Sequence, residues 1–171
     1  MSLRPAVSNT DHAQGYLEAD LVIVEYGDYQ CPYCGDAYPL LKELMSQFGS
    51  QIKFVFRNFP LSEIHQYARP AALAAEAAAL QGKFWEMHDA IYENQAYLNE
   101  NLLLELAEKI SLNIQEFKTD LEKSALADRI DADFESGIVS GVNGTPSFFV
   151  NGTKFNGGAA DLFQLINENS N

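Results

Sequence analysis

Residues 21–26, LVIVEY, form a continuous apolar, largely β-branched run broken by one acid, a pattern that predicts a strand covered on both faces. The loop GDYQ follows. Leu40, Leu41, Leu44, Met45 and Phe48 then recur at helical spacing up to Gly49, which places Cys31 and Cys34 at the start of a helix. Pro39 falls inside that helix and has no N–H to donate, so a kink is expected there. In QIKFVFRNFP, Ile52, Phe54 and Phe56 alternate with Lys53, Val55 and Arg57 until Pro60 closes a second strand. Strand, helix and strand in this order predict a right-handed parallel βαβ unit. Working groups in such units gather at the C-terminal ends of the strands, where the cysteines fall.

From about residue 65 to 123 the pattern is helical, with no strand candidate. ARPAALAAEAAALQG has high helix propensity up to Gly82, and KFWEMHDAIYENQ sets Phe84, Met87 and Ile91 on one face, with Trp85 read as core. Two short helices follow near 101–110 and 114–123, the second opened by Asn113 with Glu116 three residues on. Leu126, Ile130, Phe134 and Ile138 mark a further helix at successive i+4 positions. In SFFVNGTKF, Asn151-Gly152 between apolar positions is the type I′ hairpin signal. Gly157 and Gly158 end the hairpin, and Leu162, Leu165 and Ile166 mark a last amphipathic helix. No internal repeat or linker interrupts the order βαβ, helical block, ββα.

A chain of 171 residues, 47% of them hydrophobic, is sized for one domain with a sizeable core. No apolar run reaches the ~18 residues of a membrane span. A net charge of -13 with no local basic cluster repels phosphate backbones and excludes nucleic acid as an expected partner. The opening MSLRPAVSNTDHAQG lacks the apolar core of a secretory signal, so the sequence as it stands predicts a cytoplasmic protein. Removal of such a signal from the start would instead place the protein in the periplasm or elsewhere outside the cytoplasm. Monomer is the default expectation.

Two cysteines are too few for a disulfide framework. A helix N-terminus offers unpaired N–H groups and a positive dipole end, which favour a thiolate; Cys31 is therefore the expected nucleophile. Cys34, one turn further in, is the expected resolving thiol, and Pro32 suits the first helical turn. Glu25 sits within the first strand. Buried, its carboxyl would titrate near neutrality and accept the proton of Cys34; a partly exposed acid at a strand end is the competing reading. Pro146 in GTPSFF opens a strand and is compatible with a trans or a cis Thr145–Pro146 bond, the latter presenting Thr145 to a peptide.

A zinc site needs two ligands beyond the CxxC pair, and His12, His65 and His88 show no ligand pairing, so no metal is expected; His65 and His88 are read as surface or helix-packing residues. A structural disulfide closing so short a loop would remove little unfolded-state entropy. A non-enzymatic peptide-binding module using Tyr29, Tyr33 and the Pro146 loop is a further alternative.

VEYGDYQCPYCGDAYP, with Glu25 six residues before the first cysteine and Pro39 five after the second, together with GTPSFFVNG, resembles the DsbA-like thiol:disulfide oxidoreductases of the thioredoxin-like superfamily. The resemblance implies an α/β thioredoxin-like fold: βαβ then ββα around a mixed four-stranded sheet. The thioredoxin-like part would be discontinuous, residues 1–64 and 124–171, with 65–123 an all-helical insertion. It also implies a cis Thr145–Pro146 bond, catalysis by Cys31, Cys34 and Glu25, and an active-site dipeptide Pro32-Tyr33. Thr145, Pro146 and Tyr29 would receive substrate. Protein dithiols or disulfides are the implied partners, with no bound cofactor and glutathione as a candidate electron donor or acceptor. Family members with a histidine between the cysteines are strong oxidants; Tyr33 in that place predicts a weaker one. Glutathione-dependent transferases and isomerases share the scaffold but rely on a single nucleophile.

Overall fold

The computed structural model describes residues 1–170. Its centre is a five-stranded sheet in the order β1-β3-β2-β4-β5. The strands are β1 His12–Gly15, β2 Leu21–Gly27, β3 Ile52–Asn58, β4 Ser147–Val150 and β5 Thr153–Phe155. Only β2 and β3 run parallel; β1 is antiparallel to β3, β4 to β2, and β5 to β4.

The expected four-stranded sheet is thus short by one. The sequence of β1, HAQG, holds one apolar residue and carries no period-2 signal. It is a strand because its backbone completes the β3 edge, and because His12 stacks on Phe84 at 3.7 Å and bonds Glu76 at 2.9 Å.

α1 (Pro32–Phe48) joins the two parallel strands, and Pro39 lies within it. Between β3 and β4 run α2 (Ala68–Leu80), α3 (Phe84–Glu93), a 3₁₀ turn at Gln95–Tyr97, α4 (Glu100–Lys109), α5 (Ile114–Leu121) and α6 (Ser124–Val139). Alanines let α2 be buried on almost every side; Glu76 within it is held by His12, Asn58 and Arg129. Asn113 caps α5 by accepting the Glu116 N–H. In α6, Leu126 and Ile130 are buried but Ile138 is 54% exposed. Each i+4 step overshoots a full turn by about 40°, so three steps carry the stripe off the buried face.

At the hairpin turn Asn151 and Gly152 have φ of 48° and 81°, the left-handed backbone that a type I′ turn requires at both positions. α7 (Ala159–Asn169) then packs beside α1 over Ile23, Phe54 and Phe148.

Strand alternation decides which side chains meet the cysteines. Val24 and Tyr26 of β2 point to the face covered by Phe59, Val142 and Phe134. Ile23 therefore points to the opposite face, under α1, and Glu25, two residues on, shares it.

Candidate active site

Cys31 is the residue immediately before α1, with extended backbone angles, and Pro32 is the first helical residue. The two cysteines are free, 4.0 Å apart and both buried. The Cys34 thiol, the Thr145 side chain and the N–H groups of Cys34 and Tyr33 all favour negative charge on Cys31. Together they outweigh burial and hold its thiol down to about 5. The Cys31 thiol also lies 3.6 Å from the Thr145 carbonyl oxygen. Cys34 is displaced the other way: burial, the Cys31 thiol and the charge of Glu25 raise it well above the usual thiol range.

An acid with a depressed folded-state value favours the reduced fold at high pH and loses that advantage as pH falls through about 5. Thiolate absorbance at 240 nm is therefore expected to titrate near pH 5 in the reduced protein. The same signal in Cys31→Ser should be absent below pH 8.

Glu25 is 2% exposed. Burial, then the neighbouring charge of Cys31, pushes its carboxyl up to about 8. The strand continues to Gly27, so Glu25 is not the exposed strand-end acid of the competing reading.

Asp28 and Gln95 also shape the site, and pattern reading passed over both. Asp28 is fully buried and accepts four hydrogen bonds. One oxygen takes the N–H groups of Gln30 (2.8 Å) and Cys31 (3.2 Å); the other takes Leu61 N–H (2.9 Å) and His65 Nδ1 (2.7 Å). An aspartate two and three residues before bare N–H groups at a helix start is a turn-forming arrangement that the loop GDYQ already contained. Gln95 donates to the carbonyls of Tyr29 (3.0 Å) and Cys31 (2.8 Å) from the 3₁₀ turn. A Cβ on Gly35 would lie 2.0 Å from the Gln95 side-chain oxygen, so a side chain there would displace the Gln95 amide from these two carbonyls.

The Thr145–Pro146 peptide is cis and stands beside Cys31. Tyr33 is 73% exposed at the rim. Tyr29 departs from the expectation: it is 1% exposed, with its ring packed on Phe56, His88 and Tyr92, and so cannot contact substrate. The apolar ring favours the interior, where helix α3 supplies neighbours that the loop sequence does not announce. The histidines are engaged elsewhere, His12 with Glu76, His65 with Asp28 and His88 with Asp89; His88 is a core residue rather than a surface one.

A family model described as Thioredoxin matches residues 7–168. The chain belongs to that family. Its fold is the thioredoxin-like fold of the DsbA-type thiol–disulfide oxidoreductases. A thioredoxin-like oxidoreductase from Silicibacter pomeroyi superposes with a TM-score of 0.80 at 27% identity, over 95% of this chain and 94% of that one. Oxidised BdbD from Bacillus subtilis gives 0.82 at 25% identity, over 99% and 95%. Among curated sequences, a protein named Na(+)/H(+) antiporter NhaA 1 from Salinispora arenicola is 44% identical over 153 residues, 90% of this chain. The chain spans only about a quarter of the length of such relatives, 23% in that case. Among the described residues no helix is long and apolar enough to cross a membrane.

Proposed function

We propose that this thioredoxin-family chain exchanges disulfides with protein or small-thiol substrates through Cys31 and Cys34. The observation that carries the proposal is the opposed pair of thiols: Cys31 held as thiolate at the mouth of α1, and Cys34 buried 4.0 Å away and held protonated.

Cys31 thiolate attacks a substrate disulfide, forming a mixed disulfide and releasing one substrate sulfur as thiolate. In the mixed disulfide Cys31 no longer carries the charge that helps keep Glu25 protonated; the ionised Glu25 carboxylate takes the proton of Cys34, which attacks the Cys31 sulfur. The second substrate sulfur leaves with the bonding pair, so the substrate is reduced and a Cys31–Cys34 disulfide remains. The reverse sequence oxidises a dithiol. Thr145 and Pro146, beside Cys31, would receive the substrate backbone in extended form.

The Cys31 value of about 5 stabilises the reduced state at pH 7 by about 3 kcal/mol relative to an ordinary thiol. That corresponds to a couple more oxidising by on the order of 60 mV. Direction follows the surroundings. Glutathione and thioredoxin pools of a cytoplasm would keep the pair reduced and make the protein a reductase, whereas an oxidising compartment would make it an oxidant.

The antiporter name of the longer relatives describes those proteins. The matched segment in them corresponds to this redox fold, and no ion-transport role is proposed for this chain. The test is reduction of insulin disulfides and oxidation of a model dithiol peptide, combined with equilibration against glutathione to fix the potential. Turnover in either direction is the expected result. Peptide binding without turnover would make the chain a binding module instead.

A further inference from the structure

The exchange reaction leaves a problem that Cys34 and Glu25 do not solve. A proton passed from a buried thiol to a buried carboxylate still has to reach water. Glu25 is 2% and Cys34 1% exposed, and β2, α1 and α3 close around them.

A narrow cleft of about 10 Å³ runs past both groups, with room for about one water molecule. Its other walls include Tyr38 and Lys42 of α1 and His88, Asp89 and Tyr92 of α3. Two polar atoms of those walls, His88 Nε2 and Tyr92 Oη, are buried without a hydrogen-bond partner among the described residues. Buried orphan groups are uncommon and call for a physical reason.

The histidine is oriented as well as buried. The residue is 4% exposed, and its ring is wedged edge-on against Tyr29, Phe56, Trp85 and Tyr92. Nδ1 lies 2.9 Å from Asp89 Oδ1. A carboxylate only accepts, so Nδ1 carries the hydrogen and Nε2 keeps a free lone pair in the neutral ring. Asp89 Oδ2 in turn accepts from Lys42 Nζ at 2.7 Å. The Asp89 side chain is 22% and that of Lys42 51% exposed, so this end of the chain of groups meets solvent.

We propose that His88 and Asp89 are the outlet by which the proton taken from Cys34 by Glu25 leaves the protein. The proposal rests on the thiol–disulfide reading of the site. A proton leaving Glu25 crosses the cleft through one water to His88 Nε2, the Nδ1 hydrogen moves to Asp89 Oδ1, and Asp89 releases it to solvent. When Cys34 is re-reduced and must regain a proton, the same path runs backward and restores the hydrogen at Nδ1. No proton is gained or lost over the full cycle. Burial holds the imidazole below its ordinary range, which keeps it neutral and able to accept. Asp89 is held below the usual carboxylate range by His88 and Lys42 against its own burial, so it does not retain the proton. His88 acts on the sulfur atoms only through Glu25, which makes it a positioning and relay residue.

Quenched-flow mixing of the reduced protein with oxidised glutathione separates formation of the Cys31 mixed disulfide from closure by Cys34. In His88→Gln the first step is expected to match the wild type. Closure, and its reversal by reduced glutathione, should both slow tenfold or more with an unchanged equilibrium constant, because a conduit changes rates and not end states. Asp89→Asn, a change at the cleft mouth that leaves the core packing intact, should slow the same two rates if His88→Gln fails to fold. Wild-type closure in the variants would overturn the proposal, as would a slower first step with a shifted equilibrium, which would mark a packing role. Absence of exchange in the wild type would instead overturn the reading of the site itself.

Discussion

Cys31→Ser abolishes disulfide exchange, with turnover falling at least 10³-fold to background, while Cys34→Ala leaves the first attack intact and stops the reaction at the mixed disulfide. The asymmetry follows from the two environments. Cys31 is mostly thiolate at neutral pH, with the Cys34 thiol and the α1 N–H groups stabilising its charge. Its serine counterpart would remain protonated there and cannot act as a redox centre. Cys34 is buried and protonated, so without Cys31 beside it no accessible thiolate remains. Mass spectrometry of Cys34→Ala after mixing with oxidised glutathione checks the outcome: one glutathione adduct per chain is expected, and none in Cys31→Ser. Adducts in Cys31→Ser would assign the attack to the wrong sulfur.

Glu25→Gln slows closure by about 10²-fold and stabilises the reduced protein at neutral pH. The kinetic loss is the usual contribution of a positioned proton acceptor. The sign of the stability change comes from linkage. A carboxyl raised from 4.5 to about 8 in the fold costs nothing below pH 4.5, and its cost grows as pH rises through the folded value. At pH 7 the cost is about 3 kcal/mol, which a neutral glutamine of the same shape removes. Urea unfolding of reduced wild type and Glu25→Gln should therefore diverge between pH 5 and pH 8 and converge at pH 4. Parallel curves across that range would show that the carboxyl stays charged in the fold.

Element order and the position of the cysteines at a strand-to-helix junction follow from the sequence, because period-2 and helical spacing are local properties. LVIVEY has no alternative place but an interior strand, Asn151-Gly152 demands its turn, and a dithiol one helical turn apart is set by spacing alone. The covering neighbours are not encoded locally. His12–Gly15 becomes a strand only when the β3 edge is there to pair with it. Tyr29, expected at a substrate surface, turns inward because α3 presents Tyr92 and His88 to it. Thr145 reaches Cys31 across 114 residues, Gln95 across 64, and His65 reaches Asp28 across 37. The elevated carboxyl of Glu25 and the depressed thiol of Cys31 belong to the same category. Residue type makes a group ionisable, but the water excluded and the charges assembled around it set where it ionises, and those come from segments that meet only in the folded chain.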